Sequence, residues 1–112
     1  MSDLASNSCE ACRTDAPRIS DDEIFVLIKE IEGWHLINDG VKKLKKEFNF
    51  SSYSDSKDFT NKVADMADQE DHHPQIILEW GKVVVIWWSH KIKGLHRNDF
   101  ICAAKTNNLI KN

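Results

Sequence analysis

No stretch of the chain comes near the ~20 consecutive apolar residues that a membrane-spanning helix needs. Met1-Ser2-Asp3-Leu4 also opens with an acid where a secretory leader would carry basic residues. Both absences point to a cytoplasmic protein with no membrane partner. An excess of positive charge is missing too: the net charge of -3 argues against a direct nucleic-acid binder, whose affinity comes mainly from neutralised phosphates. Three cysteines are an odd number, and Cys102 lies far from Cys9 and Cys12, so no disulfide framework is evident. Histidine is scarce, five in 112 residues, and the stretch from Asp68 to His90 nevertheless holds His72, His73 and His90.

What is present describes one small globular domain. With 41% hydrophobic residues, four Trp and five Phe, the chain has too many bulky groups to stay disordered. Its length leaves room for a single modest core. Residues 1–19 lack hydrophobic periodicity and read as a flexible N-terminal arm, and residues 20–112 read as the domain. The arm's one feature is Cys9-Glu10-Ala11-Cys12. Zinc wants four ligands and no second Cys pair exists, while a redox dithiol would need a strand before it and a helix after it. An inert reduced pair is the expectation.

Ser20-Asp21-Asp22-Glu23 reads as a capping box, and Ile24, Leu27, Ile28 and Ile31 follow as one apolar helical stripe that Gly33 ends. Trp34 to Asn38 and Val41 to Phe50 read as strands of a hairpin turned at Asp39-Gly40. In the second strand Leu44, Phe48 and Phe50 share a face with the stems of Lys42 and Lys46. Lys43, Lys45 and Glu47 take the other face, a solvated lysine surface. Ser51 to Glu70 is helical, with Ser52 as cap and Phe59, Val63, Met66 and Ala67 buried, and Pro74 stops it near Asp71 or His72. Gln75 to Trp80 and Lys82 to Trp88 form a second hairpin joined at Gly81, and a last helix runs from about Arg97 to Ile110 with Phe100, Ile101 and Ala104 facing in. This α-ββ-α-ββ-α order predicts an α+β fold of two layers, a four-stranded antiparallel sheet with helices on one face. Apolar residues occupy both alternation sets of the second hairpin, so Val83, Val85 and their neighbours are expected to help form a subunit interface in a homodimer or homotetramer.

An imidazole gives and takes protons near neutral pH without a large environmental shift. From spacing alone three readings stay open for the histidines. They are acid–base catalysis, a metal site, or a helix-end pair favoured by the dipole. Metal is the poorer fit, because adjacent residues of an extended chain point to opposite sides and do not converge on one ion.

A longer pattern bears on that choice. Asp68, then His72-His73-Pro74, Trp80, Ser89-His90, Gly94-Leu95 and Arg97-Asn98-Asp99 together resemble the pterin-4a-carbinolamine dehydratases. The runs Glu79-Trp80-Gly81-Lys82-Val83 and Trp87-Trp88-Ser89-His90-Lys91-Ile92-Lys93-Gly94-Leu95-His96-Arg97-Asn98-Asp99-Phe100, with Cys9-Glu10-Ala11-Cys12-Arg13, are similar to the bacterial branch that works beside phenylalanine hydroxylase. The resemblance covers nearly the whole chain. Two positions depart from it: Ile76 stands where many relatives have an aromatic residue, which changes one wall of the expected pterin pocket, and Asp68 replaces a frequent Glu.

The resemblance implies a hydro-lyase that removes water from 4a-hydroxytetrahydrobiopterin to give quinonoid dihydropterin, recycling tetrahydropterin for an aromatic amino-acid hydroxylase. It implies His72 and His90 as proton carriers and His73 as a residue that binds and orients the pterin. Asp99 would orient a histidine. Asp68, Asp71, Pro74, Ser89 and Arg97 would contact the pterin or hold the imidazoles. No metal or redox cofactor is expected, pterin being the substrate. Animal relatives also serve as dimerisation cofactors for a transcription factor, so a binding protein or transcriptional co-regulator is the alternative.

Overall fold

The computed structural model describes residues 18–110. Cys9, Cys12 and the other residues of the proposed arm up to position 17 lie outside the described residues. Ile19, counted in that arm, is tied to the domain: its N–H donates to the Leu95 carbonyl (3.1 Å) and its side chain packs against the core.

Local chemistry starts each helix. Helix α1 (Asp21–Leu27) begins where the Ser20 hydroxyl accepts the Glu23 N–H (3.2 Å), and a 3₁₀ turn (Ile28–Glu30) extends it. Helix α2 (Tyr53–Glu70) begins in the same way, with the Ser52 hydroxyl accepting the Asp55 N–H (3.1 Å). Each cap satisfies an N–H that the first turn leaves without a partner. Helix α3 (Arg97–Ile110) completes the helical layer.

Strands β1 (His35–Asn38), β2 (Lys42–Asn49), β3 (Gln75–Glu79) and β4 (Lys82–Trp87) form one antiparallel sheet in the order β1-β2-β4-β3. At the turn between β3 and β4, Gly81 has φ +72, a conformation that side-chain-bearing residues rarely adopt. Across the centre of the sheet Leu44 faces Trp87 and Phe48 faces Val83. These residues pack with Ile24, Leu27 and Ile31 of the first helical segment, Phe59 and Val63 of α2, and Phe100 and Ile101 of α3. The expected α+β fold with its helices on one face is therefore the observed one.

Which apolar set of β4 faces the helices corrects one expectation. Val83 and Val85, read as interface residues, are fully buried against the chain's own helices. The opposite face carries Val84 and Ile86, which pair with Glu47 and Lys45 of β2 and with Ile77 and Gln75 of β3. Both alternation sets are aliphatic, so the pattern of β4 alone does not say which one turns inward. Ile76 likewise lies on the helical side, opposite Val85, partly buried and packed against the core.

Candidate active site

The His72-His73-Pro74 corner is made by the end of α2. Pro74 disfavours an α conformation at His73, so the helix must stop within the two residues before it. Asp71 takes the left-handed conformation (φ 52, ψ 40), one that Asp tolerates better than most residues. The His72 N–H then reaches back to the Ala67 carbonyl (3.2 Å), a closure that satisfies the helix end. It leaves His72 turned into the protein, 2% exposed, and His73 outside. One of the three readings left open by the spacing treated the two as a single helix-end pair. They are divided by the strict alternation of directions just after a helix end.

His72 is gripped from two sides. Its ring stacks on Trp87 of β4 (centroids 5.4 Å apart, 17° between planes), and Trp87 is itself fixed by an Nε1–H bond to the Thr106 hydroxyl of α3 (3.1 Å). Its Nε2 lies 2.6 Å from Oδ1 of Asp99, a residue with no exposed surface. The other oxygen of Asp99 accepts the Ser89 hydroxyl (2.9 Å) and the His96 N–H (2.9 Å). With two donors already on its carboxylate, Asp99 is an acceptor throughout, and His72 donates Nε2–H to it. Such charge-assisted bonds are roughly twice as strong as neutral ones.

The start of α3 explains why Asp99 stands there. His96 occupies the cap position: its Nδ1 accepts the Asn98 N–H (3.1 Å), while Asp99, in the first turn, reaches back to the His96 N–H. This is the reciprocal arrangement of a capping box with imidazole in place of hydroxyl. A carboxylate is also favoured near a helix N-terminus. One side chain thus caps a helix and holds His72 by a hydrogen bond.

His90 sits in the connector between β4 and α3. The base of that loop is closed by Ser89 N–H to the Gly94 carbonyl (2.9 Å) and by the Ser89 hydroxyl on Asp99. His90 is exposed, and its ring stacks on Trp88 (4.2 Å, 26°). Lys43 Nζ lies over the same indole, 4.2 Å from its centre. The register of β2 on β4, with Leu44 opposite Trp87, brings Lys43 beside Trp88. His73, also exposed, has Nε2 3.1 Å from Asp68 Oδ1, a surface pair of the kind worth ~0–1 kcal/mol.

A cleft of about 370 Å³ opens over this corner, lined by Asp71, His72, His73, Pro74, His90 and Lys91. All three proposed histidines therefore border one space, with Asp71 and Pro74. Ser89 and Asp99 lie beneath it, buried and bonded to each other, and Asp99 is bonded to His72 of the lining. Arg97 is exposed at the start of α3 and does not border the cleft, and neither does Ile76. Trp80, 70% exposed at the β3–β4 turn, is also outside it. Sequence reasoning missed Lys91 and the Lys43–Trp88 pair. The adjacency of Lys91 to His90 was the available signal for the first, whereas the second depends on strand register. Among the described residues no three His, Cys, Asp or Glu side chains are placed to hold a metal ion.

Comparison with known proteins shows the family. The family described as pterin 4 alpha carbinolamine dehydratase matches residues 17–109. A protein of Saccharophagus degradans is 51% identical over 110 residues (97% of both chains), and one of Nitrosococcus oceani is 51% identical over 112 residues (99% of both). Both carry pterin-4-alpha-carbinolamine dehydratase as a provisional name. The crystal structure of a transcriptional coactivator/pterin dehydratase from Brucella melitensis superposes with a TM-score of 0.77 at 26% identity, over 83% of this chain and 98% of that one. A pterin dehydratase-like protein identified as a RuBisCO assembly factor in the alpha-carboxysome shares the fold, with a TM-score of 0.60 at 22% identity over 70% and 89% of the two chains.

Proposed function

The chain belongs to the pterin-4a-carbinolamine dehydratase family of hydro-lyases, and from that premise we propose that it dehydrates 4a-hydroxytetrahydrobiopterin by histidine acid–base catalysis. In this elimination the C4a–O bond breaks, N5 loses its proton and a C4a–N5 double bond forms. One proton goes to the departing hydroxyl and one leaves N5, so the balance needs no electron carrier or metal.

The observation that carries the reading is the buried His72–Asp99 pair beneath a cleft that His73 and His90 also border. With Nε2–H given to Asp99, Nδ1 is the basic nitrogen of neutral His72. It takes the N5 proton, and the adjacent carboxylate stabilises the imidazolium that results. His90 gives its proton to the leaving hydroxyl and, being exposed, regains one from water. His73, held by Asp68, binds and orients the ring from the open side together with Asp71 and Pro74. Ser89 and Asp99 work from below, holding the catalytic groups.

The setting we propose is a cytoplasmic homo-oligomer that serves an aromatic amino-acid hydroxylase, phenylalanine hydroxylase being the one the sequence resemblance favours. No helix among the described residues is long and apolar enough to cross a membrane. A second reading, a transcriptional co-regulator, is favoured by the description of the Brucella relative. The test is dehydration of freshly generated carbinolamine by the purified protein. Acceleration that disappears in His72→Ala supports the enzyme, and a rate equal to the uncatalysed one leaves the binding protein.

A further inference from the structure

His90 presents a mechanical problem that the proposed chemistry does not solve. It is exposed, on an irregular connector, and no hydrogen bond among the described residues fixes its ring, whereas a group that transfers a proton must stay within hydrogen-bond reach of the reacting atom. What the ring does have is Trp88, stacked at 4.2 Å, and Trp88 carries the Lys43 ammonium 4.2 Å from its centre. Lys43 is anchored in turn by Asp39, whose carboxylate it meets at 3.0 Å. Trp88 is half-buried and rests against the hydrophobic core.

We infer that Trp88, steadied by Lys43, is a positioning residue for catalysis: a platform that holds the His90 ring at the mouth of the cleft. This rests on the reading of His90 as a proton carrier. A broad rigid indole limits the imidazole to sliding or rotating in one plane. An aliphatic side chain of similar bulk would fill the space without constraining the ring. Phenylalanine, smaller but flat, would constrain it in part. The platform acts on the chemical step rather than on binding, because it touches His90 and is not among the residues that border the cleft.

The measurements are steady-state kinetics of carbinolamine dehydration and the proton NMR resonances of the His90 ring, assigned by their absence from the spectrum of His90→Gln. In the wild-type protein those resonances are expected upfield of the ones from exposed His35, because they lie over an indole face. Trp88→Leu should remove the upfield displacement and lower kcat by about tenfold to a hundredfold, as loss of alignment of a reacting group does, with KM changed by less than about threefold. Trp88→Phe should keep part of the displacement and most of kcat. Lys43→Met should lower kcat by about twofold to fivefold, the share of an exposed cation–π contact.

Wild-type His90 resonances at the position of His35 would overturn the inference, as would a fall in Trp88→Phe as large as in Trp88→Leu, or an unchanged kcat in Lys43→Met. If Trp88→Leu does not fold, the wild-type resonances, Trp88→Phe and Lys43→Met decide the matter. His90→Ala separates the two levels. Where it is impaired and Trp88→Leu is not, only the platform falls; where His90→Ala keeps full kcat, the proton-carrier reading falls and the platform with it.

Discussion

Two neighbouring tryptophans hold two histidines in opposite ways. Trp87, the last residue of β4, is fully buried, bonded to Thr106, and stacked on a His72 that is bonded to a buried carboxylate. Trp88, one residue on, is half-buried and stacked on an exposed His90, with a lysine over its ring. Successive residues of an extended chain face opposite sides, so one sheet end supplies a rigid, dry grip and a wet one. The difference teaches that residue type does not assign a role. His72 is oriented by a charge and stays put. His90 rests on a flat surface and is open to water.

The comparison breaks most completely at Asp99. Asp99→Ala strips the acceptor from His72, Ser89 and His96 together. It should lower stability in urea by ~3–5 kcal/mol, as expected when one partner of a buried charged pair is removed, and reduce kcat to near the uncatalysed rate. Asp99→Asn is the sharper probe. Its side chain keeps the shape but offers one acceptor oxygen, so His72 is driven to the tautomer that carries its proton on Nδ1. An expected loss of about 10²–10⁴ in kcat with the melting temperature nearly kept would separate orientation from stability.

The sequence contained part of this division. Ser20, Ser52 and Pro74 are local signals, and they place the helix ends almost where they occur. Asp99 was readable as a histidine orienter from the family pattern. Which histidine it orients was not, because the two residues stand 27 positions apart and meet only when α3 docks beside the end of α2. His72 is buried as well, so His72→Ala should also cost measurable stability. The inward set of β4 was likewise hidden, since Val83 and Val85 are as aliphatic as Val84 and Ile86, and only packing against the helices distinguishes them.

Smaller effects are expected on the exposed side. His73→Ala should raise KM more than it lowers kcat, about threefold to thirtyfold against less than threefold, as loss of a binding contact does. Asp68→Ala should follow it more weakly, with stability changed by no more than ~1 kcal/mol. The smallest effect belongs to Asp39. The hydrogen bond from Lys43 holds its carboxyl below the usual carboxylate range. A depressed folded value stabilises the protein above the unfolded pKa of ~3.9, and that contribution is lost as pH falls through the folded value. The stability difference between wild type and Asp39→Asn should therefore be flat above about pH 5 and shrink only below about pH 4.

The central claim is that His72 and His90, held so differently, act on two ends of one elimination. The direct test is a double-mutant cycle in kcat for carbinolamine dehydration, with His72→Ala, His90→Ala and the pair. Each single change should lower kcat by about 10–10³-fold, and the double mutant should lose far less than the product of the two, because an acid without its base retains little advantage. Single mutants that both keep near-wild-type kcat/KM between about pH 6 and 8, where unperturbed imidazoles titrate, would contradict the account.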